Sequence, residues 1–521
     1  MIFAKLKKIR VYVTLFFFIV TLSLFVDIIH ILPANLTPYL LFFQFAPSTI
    51  KFFNQFSLLA TGFIVVLIIT FLFGRVYCSS ICPLGTLQDI ISRLALFLNK
   101  QKYFRLLKDF KILKYSILFV TILSLFSGSL VLLNLLDPFS LSGKIFSNIF
   151  RLGVIPLNNL AALTLEQFNI YRVYPIEVKA LSWFAIVFSG SVLLIVGIMS
   201  FSKGRLFCNT ICPVGTLLGL TSRFSLYKIK IDQYECSGCG MCETVCKAGC
   251  IENENKKIDF ERCVSCFNCF TVCPSNGIVY KRSDISLFNK VAKQVDTDKR
   301  KFFSRLFIGV VSLSELLKAQ VKVIPKKDST VPVLKIVYPT PPGSASADHF
   351  YSSCTACHLC VAACPTHVMQ PSFLEHGWLN ILQPYLDNSA AYCTFECVRC
   401  TEVCPTGALL PVTVEKKKTL QIGKTNFVKE NCVVETEGTA CGACSEHCPT
   451  KAVIMIPYKN NLKIPEVRNE YCVGCGACEY ACPTKPFKSI YVEGNPIHLV
   501  AKEAPLERLE QEVDYKEEFP F

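Results

Sequence analysis

The stretch GRVYCSSICPLGTL (residues 74–87, box one) follows an apolar run and recurs almost unchanged as GRLFCNTICPVGTL (residues 204–217, box two). Each box has two cysteines four positions apart, followed by proline: Cys78 and Cys82 in box one, Cys208 and Cys212 in box two. This C-x3-C-P spacing differs from the usual zinc and ferredoxin patterns. The match continues beyond the boxes in the same register, so we interpret this part of the chain as two repeats.

The chain of 521 residues has a mean hydropathy of +0.42, which is too apolar for an ordinary soluble protein. Four apolar runs approach the roughly 20 residues that cross a bilayer, and box one follows the second run while box two follows the fourth. The runs are 11–32, 57–73, 113–136 and 181–201. We therefore predict a four-helix membrane domain of two repeated helix hairpins over residues 1–228. The alternative is a set of long buried core helices.

Charge is unevenly distributed along the chain. The net charge is +15, but residues 324–521 hold 18 Lys/Arg and 22 Asp/Glu, which leaves +19 for residues 1–323. Basic residues cluster before the first apolar run and between the second and third, where the positive-inside rule predicts cytoplasm. Both boxes are then expected at the cytoplasmic ends of their helices. Because membrane topology accounts for these basic residues, we do not predict nucleic-acid binding.

The 29 cysteines determine the chemistry. Most follow the bacterial iron–sulfur run C-x2-C-x2-C-x3-C-P, in which the fourth cysteine of each run binds the other cluster. We predict three small α+β ferredoxin-like modules with two [4Fe–4S] clusters each: module one (229–280), module two (341–412) and module three (413–521, including the C-terminal tail). A linker (281–340) separates the first two.

The fourth-cysteine exchange predicts six ligand sets. They are, in order along the modules, Cys236, Cys239, Cys242 and Cys273; Cys263, Cys266, Cys269 and Cys246; Cys354, Cys357, Cys360 and Cys404; Cys393, Cys397, Cys400 and Cys364; Cys432, Cys441, Cys444 and Cys482; and Cys472, Cys475, Cys478 and Cys448.

Some features depart from the pattern. Cys246 lacks the following proline, and Cys250, four residues later, is either a spare thiol or a replacement ligand. The runs that begin at Cys393 and Cys432 have longer first gaps. Three histidines near the runs are expected to tune the clusters or lie at the surface, since four cysteines are already present; they are His358, His367 and His447. Zinc remains the alternative metal, but triplets ending in C-P argue against it.

The linker contains a basic segment that ends in Phe302-Phe303 and precedes a short apolar core over 306–317. Two interpretations stay open. One is an internal twin-arginine-like export signal or membrane anchor, which would place modules two and three in the periplasm while module one stays in the cytoplasm. The other is a basic amphipathic helix on the membrane surface.

Two parts of the chain resemble known families of iron–sulfur proteins. Residues 1–280, with the paired boxes and a ferredoxin tail, resemble the NapH/MauN membrane polyferredoxins. The later part, with PPGSASADHFYSSCTACHLCVAACP and CTFECVRCTEVCPTGAL, resembles NapG/MauM ferredoxins, as in a fusion of both. This implies a polyferredoxin quinol dehydrogenase of the bacterial inner membrane, with quinone as substrate and a cytochrome or periplasmic reductase as redox partner. Candidate proton acceptors are Asp27, His30 and Asp137.

Other functions remain open, because NosR-type and CcoG-type membrane iron–sulfur proteins share the boxes. One is a maturation factor that reduces a metal for insertion into an oxidase or reductase, and another is a regulatory scaffold whose clusters sense oxygen. The four box cysteines belong to none of the six predicted ligand sets. We expect them to converge as an additional metal, cluster or thiol redox site; the alternative is plain packing of thiols at helix ends.

Overall fold

The computed structural model describes residues 2–27, 32–33, 36–55, 57–98, 104, 109–177, 181–282, 331–333 and 335–503. The first part is helical and is called the helical domain (residues 2–222). Its helices are α1 (Ile2–Val26), α2 (Thr37–Leu40), α3 (Phe45–Asn54), α4 (Gly62–Phe73), α5 (Val76–Ser80), α6 (Pro83–Phe97), α7 (Lys111–Phe126), α8 (Val131–Leu136), α9 (Pro138–Ile145), α10 (Arg151–Glu166), α11 (Trp183–Lys203), α12 (Leu206–Thr210) and α13 (Pro213–Ser222).

Each of the four apolar runs contains a helix in the described residues, but the helix lengths differ from the predicted four membrane spans. Two helices, Lys5–Val26 and Trp183–Lys203, are long and apolar enough to cross a membrane. Helix α4 has only 12 residues. The third run is divided between α7 and α8, because Gly128 takes a positive φ of 78° in the intervening turn.

The interior of the helical domain is aromatic where α1 meets α9. The Phe25 ring lies 5.9 Å from that of Phe139 and 6.1 Å from that of Phe146, between ring centroids. All three side chains are buried. A π-helical turn (Phe146–Phe150) joins α9 to α10. Such edge-to-face and tilted pairs add about 0.5–1.5 kcal/mol each beyond their buried area, so this cluster fixes α9 against the end of α1.

The cysteine-rich part consists of short antiparallel strand pairs and single helical turns. The pairs are β1 (Tyr227–Ile231) with β4 (Ile278–Arg282), β2 (Ile251–Glu252) with β3 (Lys257–Ile258), β5 (Met369–Pro371) with β6 (Pro384–Leu386), β7 (Leu420–Phe427) with β10 (Ile490–Val500), and β8 (Val453–Pro457) with β9 (Lys463–Val467). The helices are α14 (Met241–Thr244), then Ala347–Ser353, Leu359–Ala363, Arg399–Glu402, Val414–Thr419, Val433–Thr436, Ala443–Glu446 and Ala477–Ala481.

Module one and module two contact opposite ends of α1. Near the start of α1, Lys7 Nζ donates to Thr271 Oγ1 of module one at 3.0 Å. Near its end, Phe25 belongs to the same core cluster as Leu359 of module two, and α1 packs on the helix Leu359–Ala363. At 1.5 Å per residue, Lys7 and Phe25 are about 27 Å apart along the helix. The helical domain therefore lies between the two modules.

The linker is described only at its margins. Arg282 pairs with Tyr227 in module one, whereas Val331 donates from its backbone N to Asn431 Oδ1 of module three at 2.7 Å. The segment with the basic-Phe-Phe motif (299–303) and the apolar core (306–317) lies outside the described residues, as does His30. Their predicted roles therefore stay predictions.

We predict that Gly143→Ala weakens the attachment of module two. A Cβ at Gly143 would lie 2.4 Å from the Cys357 carbonyl oxygen and 2.8 Å from the Phe25 ring. Overpacking of this kind costs about 1–3 kcal/mol. We expect a lower thermal midpoint and faster release of modules two and three by limited proteolysis. Gly153→Ala, where no described atom lies within 4 Å of the new Cβ, is the control. Equal behaviour of the two variants would contradict this packing.

Candidate iron–sulfur centres

The two boxes fold alike, and their glycines and prolines explain why. Gly74 and Gly204 end α4 and α11 with positive φ angles of 82° and 66°. One turn of helix follows, and then Cys82 or Cys212 takes the N-cap position of the next helix with proline at the first helical position. Backbone N–H groups of that helix donate to sulfur. The second cysteine of each box therefore lies at a helix N-terminus, which favours a thiolate.

The structure brings the four box thiols together. Cys78, Cys82, Cys208 and Cys212 are each at most 4% exposed. Burial raises the pKa of Cys78 to about 11, and the nearby Cys208 thiol adds to that rise. Burial followed by Cys208 likewise raises the pKa values of Cys82 and Cys212. Four such thiols would lose their protons together only around a cationic centre, which is the condition that the predicted metal or cluster site has to meet.

The arginine that follows the glycine in each box contacts the other repeat. Arg75 Nη1 donates to Gly215 O at 2.8 Å, and Arg205 Nη1 donates to Cys78 O at 2.6 Å. Both side chains are at most 1% exposed. This reciprocal exchange fixes the boxes against each other. Our sequence analysis missed the role of these arginines, although their repetition in both boxes was a usable signal.

Arg75 also connects the boxes to module one. Its Nε donates to Cys263 O at 3.4 Å, and its Nη2 donates to Arg262 O. Asn209 of box two donates to Ala248 O at 3.1 Å. The cysteine set that begins at Cys263 therefore lies directly beside the box thiols.

In module one, the second predicted ligand set comes together. Burial raises the pKa of Cys269, and its neighbours Cys266, Cys263 and Cys246 raise it further. In the first set, Cys236 and Cys239 raise the pKa of Cys242 in the same way after burial. Cys273 is only half-buried, and its Sγ lies 3.8 Å from Ser275 Oγ. Three thiols of the first set and four of the second thus lie near enough to influence one another's charge, and their assignment as ligands stays a prediction.

Cys250 lies beside the second set. Its Sγ is 3.5 Å from Cys246 Sγ, and its backbone N donates to that same sulfur at 3.5 Å. A hydrogen bond from the Cys250 thiol lowers the pKa of Cys246 to about 7, while the pKa of Cys250 is raised by Cys246 and Cys263. Cys246 is thus the better thiolate ligand, with Cys250 as a hydrogen-bond donor to it.

Modules two and three group their cysteines as the fourth-cysteine exchange predicts. In each set, burial raises the pKa of one central cysteine and the other three thiols raise it further. The central residues with their neighbours are Cys360 with Cys354, Cys357 and Cys404; Cys400 with Cys393, Cys364 and Cys397; Cys444 with Cys441, Cys482 and Cys432; and Cys478 with Cys475, Cys472 and Cys448. Neither longer gap, at Cys393 or at Cys432, prevents this grouping.

These sets have the chemistry that a [4Fe–4S] cubane needs. All 29 cysteines are free, and backbone N–H groups donate to several sulfurs, for example from Ala356 to Cys354 and from Leu409 to Cys404 at 3.4 Å. Within the described residues, no three His, Cys, Asp or Glu side chains are placed to hold one metal ion. The sequence pattern, in which cysteine triplets are followed by C-P, favours a cluster over zinc.

Neighbouring sets are also linked to one another. Cys400 contributes to the raised pKa of Cys360 within module two, and Cys393 contributes to that of Cys475 across the junction with module three. At this junction Cys393 N donates to Cys475 O at 3.0 Å. The sets thus form a series from module two into module three.

A buried polar pair lies between box one and module two. Asp137 caps α9 by accepting from Ser140 N at 2.8 Å, and Lys144 donates to Asn134 O. Burial raises the pKa of Asp137 to about 6 and lowers that of Lys144 to about 8. Asp137 and then Cys357 act against the burial effect and raise the pKa of Lys144. Lys144 is therefore a buried cation beside the first set of module two, which our sequence analysis did not single out.

The remaining predicted polar residues have structural partners. Asp27 Oδ2 accepts from Leu32 N at 2.8 Å. His358 is fully buried, with Nε2 2.9 Å from Leu382 O and Nδ1 3.2 Å from Asn148 Nδ2. His447 Nδ1 lies 2.9 Å from Ala443 O. These contacts fit the expectation that His358 and His447 are not cluster ligands.

Comparison with known proteins agrees with this chemistry. A family described as "4Fe-4S binding domain" matches residues 55–103 and 183–232, which contain the boxes. Families described as "4Fe-4S dicluster domain" match residues 353–409 and 439–485. No solved structure matches the chain.

Several curated proteins are similar. MauM, a methylamine utilization ferredoxin-type protein of Methylophilus methylotrophus, is 28% identical over 35% of this chain and 81% of its own length. The ferredoxin-type protein NapG of Escherichia coli is 32% identical over 26% of this chain and 61% of its own length. An uncharacterized protein of Methanocaldococcus jannaschii is 28% identical over 35% of this chain, which spans about half (55%) of that relative. The chain is thus an iron–sulfur electron-transfer protein distantly related to Nap and Mau ferredoxins.

We predict that Cys246→Ala removes about four iron atoms per chain, whereas Cys250→Ala keeps them, because Cys246 accepts the N–H donors and Cys250 supplies one. Iron content and the EPR spectrum of the reduced protein measure the difference. In Cys250→Ala the backbone N–H donor stays, but the hydrogen bond between the Cys250 thiol and Cys246 Sγ is lost. We therefore also expect a lower reduction potential for one cluster. Loss of iron only in the Cys250 variant would reverse the assignment.

Proposed function

We propose that this protein is embedded in a membrane and passes electrons from the quinol pool, through a series of [4Fe–4S] clusters, to a reductase system. The single observation that carries the proposal is the arrangement of the cysteine sets. The set that begins at Cys263 in module one lies beside the boxes, the sets of module two adjoin those of module three, and the helical domain lies between modules one and two.

Membrane embedding is supported by the outer surface of the helical domain. Large apolar side chains are widely exposed there, among them Ile19 at 60% and Leu194 at 64%. Such a surface is unfavourable in water but suits a hydrocarbon environment. Basic residues flank the same end at which module one is attached, which the positive-inside rule assigns to the cytoplasm. The opposite end, with modules two and three, is then periplasmic.

The proposed reaction is the two-electron oxidation of a quinol. A quinol loses two electrons and two protons and becomes a quinone. Each electron reduces one oxidised [4Fe–4S] cluster, and the series passes both electrons to the terminal reductase, which is the final oxidant. The box thiols would hold a further cluster by which electrons pass between module one and module two. The protein sets the potentials through burial, N–H donors and charges such as Lys144.

The resemblance to a NapH/MauN part fused to a NapG/MauM part agrees with this proposal. NapG and MauM are named as ferredoxin-type proteins, and sequence similarity to both is present. In this reading the helical domain with module one is the quinol-dependent half, and modules two and three are the half that delivers electrons.

We predict that a topology reporter distinguishes the two ends of the chain. A reporter fused after Lys281 should behave as cytoplasmic, and one fused after Phe521 as periplasmic, because the two fusion points belong to modules at opposite ends of α1. Alkaline phosphatase and green fluorescent protein fusions make the measurement. Cytoplasmic behaviour of both fusions would remove the transmembrane relay.

We predict that interrupting the series divides the clusters into reduced and oxidised groups. After anaerobic addition of menaquinol, EPR should show reduced clusters throughout the wild-type chain. Cys393→Ser should leave the module-three clusters oxidised, since it breaks the set that adjoins Cys475. Cys82→Ser should leave every cluster on one side of the boxes oxidised. Gly153→Ala, which lies away from every cysteine set and has open space around the new Cβ, serves as the control. If quinol reduces no cluster in the wild type, the relay fails and a maturation role is favoured.

A further inference from the structure

A cavity of about 490 Å³ lies between α1, α6 and module one. This volume falls in the usual range of small-molecule sites, about 300–1,000 Å³. Neither the boxes nor the six cysteine sets account for this cavity. Its wall, its floor and its opening differ in chemistry, and each restricts what it can bind.

The floor of the cavity is charged. Asp89 of α6 accepts from Arg10 of α1 at 3.5 Å, from Arg205 of box two at 2.7 Å, and from Lys247 of module one. Burial opposes the ionised form, but these cations hold the pKa of Asp89 well below its usual range. Three cations thus face one carboxylate, and the floor retains an excess of positive charge.

One donor on this floor has no partner. Arg10 is 8% exposed, and its Nη1 is shared between Ser79 O and Asp89. Its Nε makes no hydrogen bond with any described residue, although Arg10 lines the cavity. A buried unpaired N–H of a charged group is unfavourable, because the group has lost its water without gaining an acceptor. An acceptor oxygen of a bound molecule would remove this cost.

Part of the lining is apolar and reaches the outer surface, beside the basic residues Lys7 and Arg93, which also line the cavity. Leu15 of α1 and Ile90 of α6 line it and are each 46% exposed on the outer side of the helices. The adjacent surface of α1 continues with exposed residues such as Ile19. A molecule in the cavity could therefore extend a hydrocarbon chain outward along apolar side chains.

The inner wall is formed by residues next to cluster ligands. Val245 and Lys247 flank Cys246, Asn268 precedes Cys269, and Val272 precedes Cys273. The lining thus includes the sequence neighbours of Cys246 and Cys269 in the second set and of Cys273 in the first.

We propose that this cavity binds the head group of an isoprenoid quinol or quinone, with its tail leaving between Leu15 and Ile90. The inference rests on the proposed quinol-dependent function and assigns its substrate a place. Arg10 Nε donates to a head-group oxygen, and Leu15 and Ile90 contact the first part of the tail. A free phosphate or nucleotide would not need the apolar part of the lining, and a plain hydrocarbon would leave the Arg10 donor unpaired.

Binding here places the quinol beside two electron acceptors. On oxidation each hydroxyl O–H bond breaks, one electron passes to each cluster of module one, and the two protons leave to water. The polar side of the cavity, where Lys7 donates to Thr271 at the surface, provides the exit. No further oxidant is needed in this step, because the oxidised clusters take both electrons.

The test compares two substitutions on one face of α1. Leu15→Trp fills the opening, whereas Ile19→Trp, one turn further on and 60% exposed, adds the same side chain outside the cavity. A third variant, Arg10→Lys, keeps the charge but removes the Nε donor. All are purified with their clusters and compared by iron content. Two readouts follow: photolabelling with an azido-substituted short-chain ubiquinone, mapped by mass spectrometry, and the rate of cluster reduction by menaquinol.

We expect the label on peptides from residues 5–15 and 86–96 of the wild type and of Ile19→Trp, displaced by excess unlabelled quinone. In Leu15→Trp the labelling should fall at least tenfold and the KM for menaquinol should rise at least tenfold. Arg10→Lys should raise the KM several-fold with a smaller change in kcat.

Other outcomes overturn the inference. Label confined to other peptides, or equal rates for Leu15→Trp and Ile19→Trp, would place quinol elsewhere while leaving the proposed function intact. Label displaced by phospholipid but not by excess quinone would make the cavity a lipid crevice. If menaquinol reduces no cluster in the wild type, the proposed function fails, and the competition by unlabelled quinone alone then decides whether this cavity binds the head group.

Discussion

Two buried guanidinium groups hold the centre of this protein together. Arg75 reaches from box one to a carbonyl of box two, and Arg205 reaches back from box two to a carbonyl of box one. A fully buried charge is expensive unless it is hydrogen-bonded and compensated. Here the compensation comes from Asp89 and from the thiolates that a cluster would require. The helical repeats, the box thiols and module one therefore depend on one another, since loss of either arginine would leave buried oxygen acceptors at this junction without a donor.

Contacts within a short segment of the chain could be predicted from the sequence, whereas contacts between distant segments could not. In a two-cluster ferredoxin the fourth cysteine of each run binds the other cluster, and this rule predicts which cysteines lie together because both runs belong to one short segment. The groups around Cys360, Cys400, Cys444 and Cys478 agree with it. The box thiols gather because the repeats are alike. The junction of Cys393 with Cys475, the Lys144 charge near Cys357, and the floor at Asp89 join segments far apart in the chain. No local spacing or periodicity encodes such contacts.

Helix length was the other point at which local pattern was insufficient. Hydropathy predicts where apolar helices occur but not where a turn interrupts them. Gly128 divides the third run because it adopts a positive φ, and an early turn before Gly62 shortens α4. The helical domain is consequently less regular than four equal spans. Its irregular segment α9 is the part that carries Asp137 and Lys144 and receives module two.

The attachment of the modules at opposite ends of α1 has an energetic consequence. In the proposed transmembrane arrangement, an electron that travels from module one to module two moves about the length of a membrane span and carries no proton with it. In an energised membrane whose cytoplasmic side is negative, each electron that moves outward releases about 2.3 kcal/mol of free energy per 100 mV of membrane potential. The membrane potential would then drive the relay forward and be dissipated by it. A cell would obtain faster delivery of electrons to its periplasmic acceptor at the expense of stored charge, and delivery would slow as the potential collapsed.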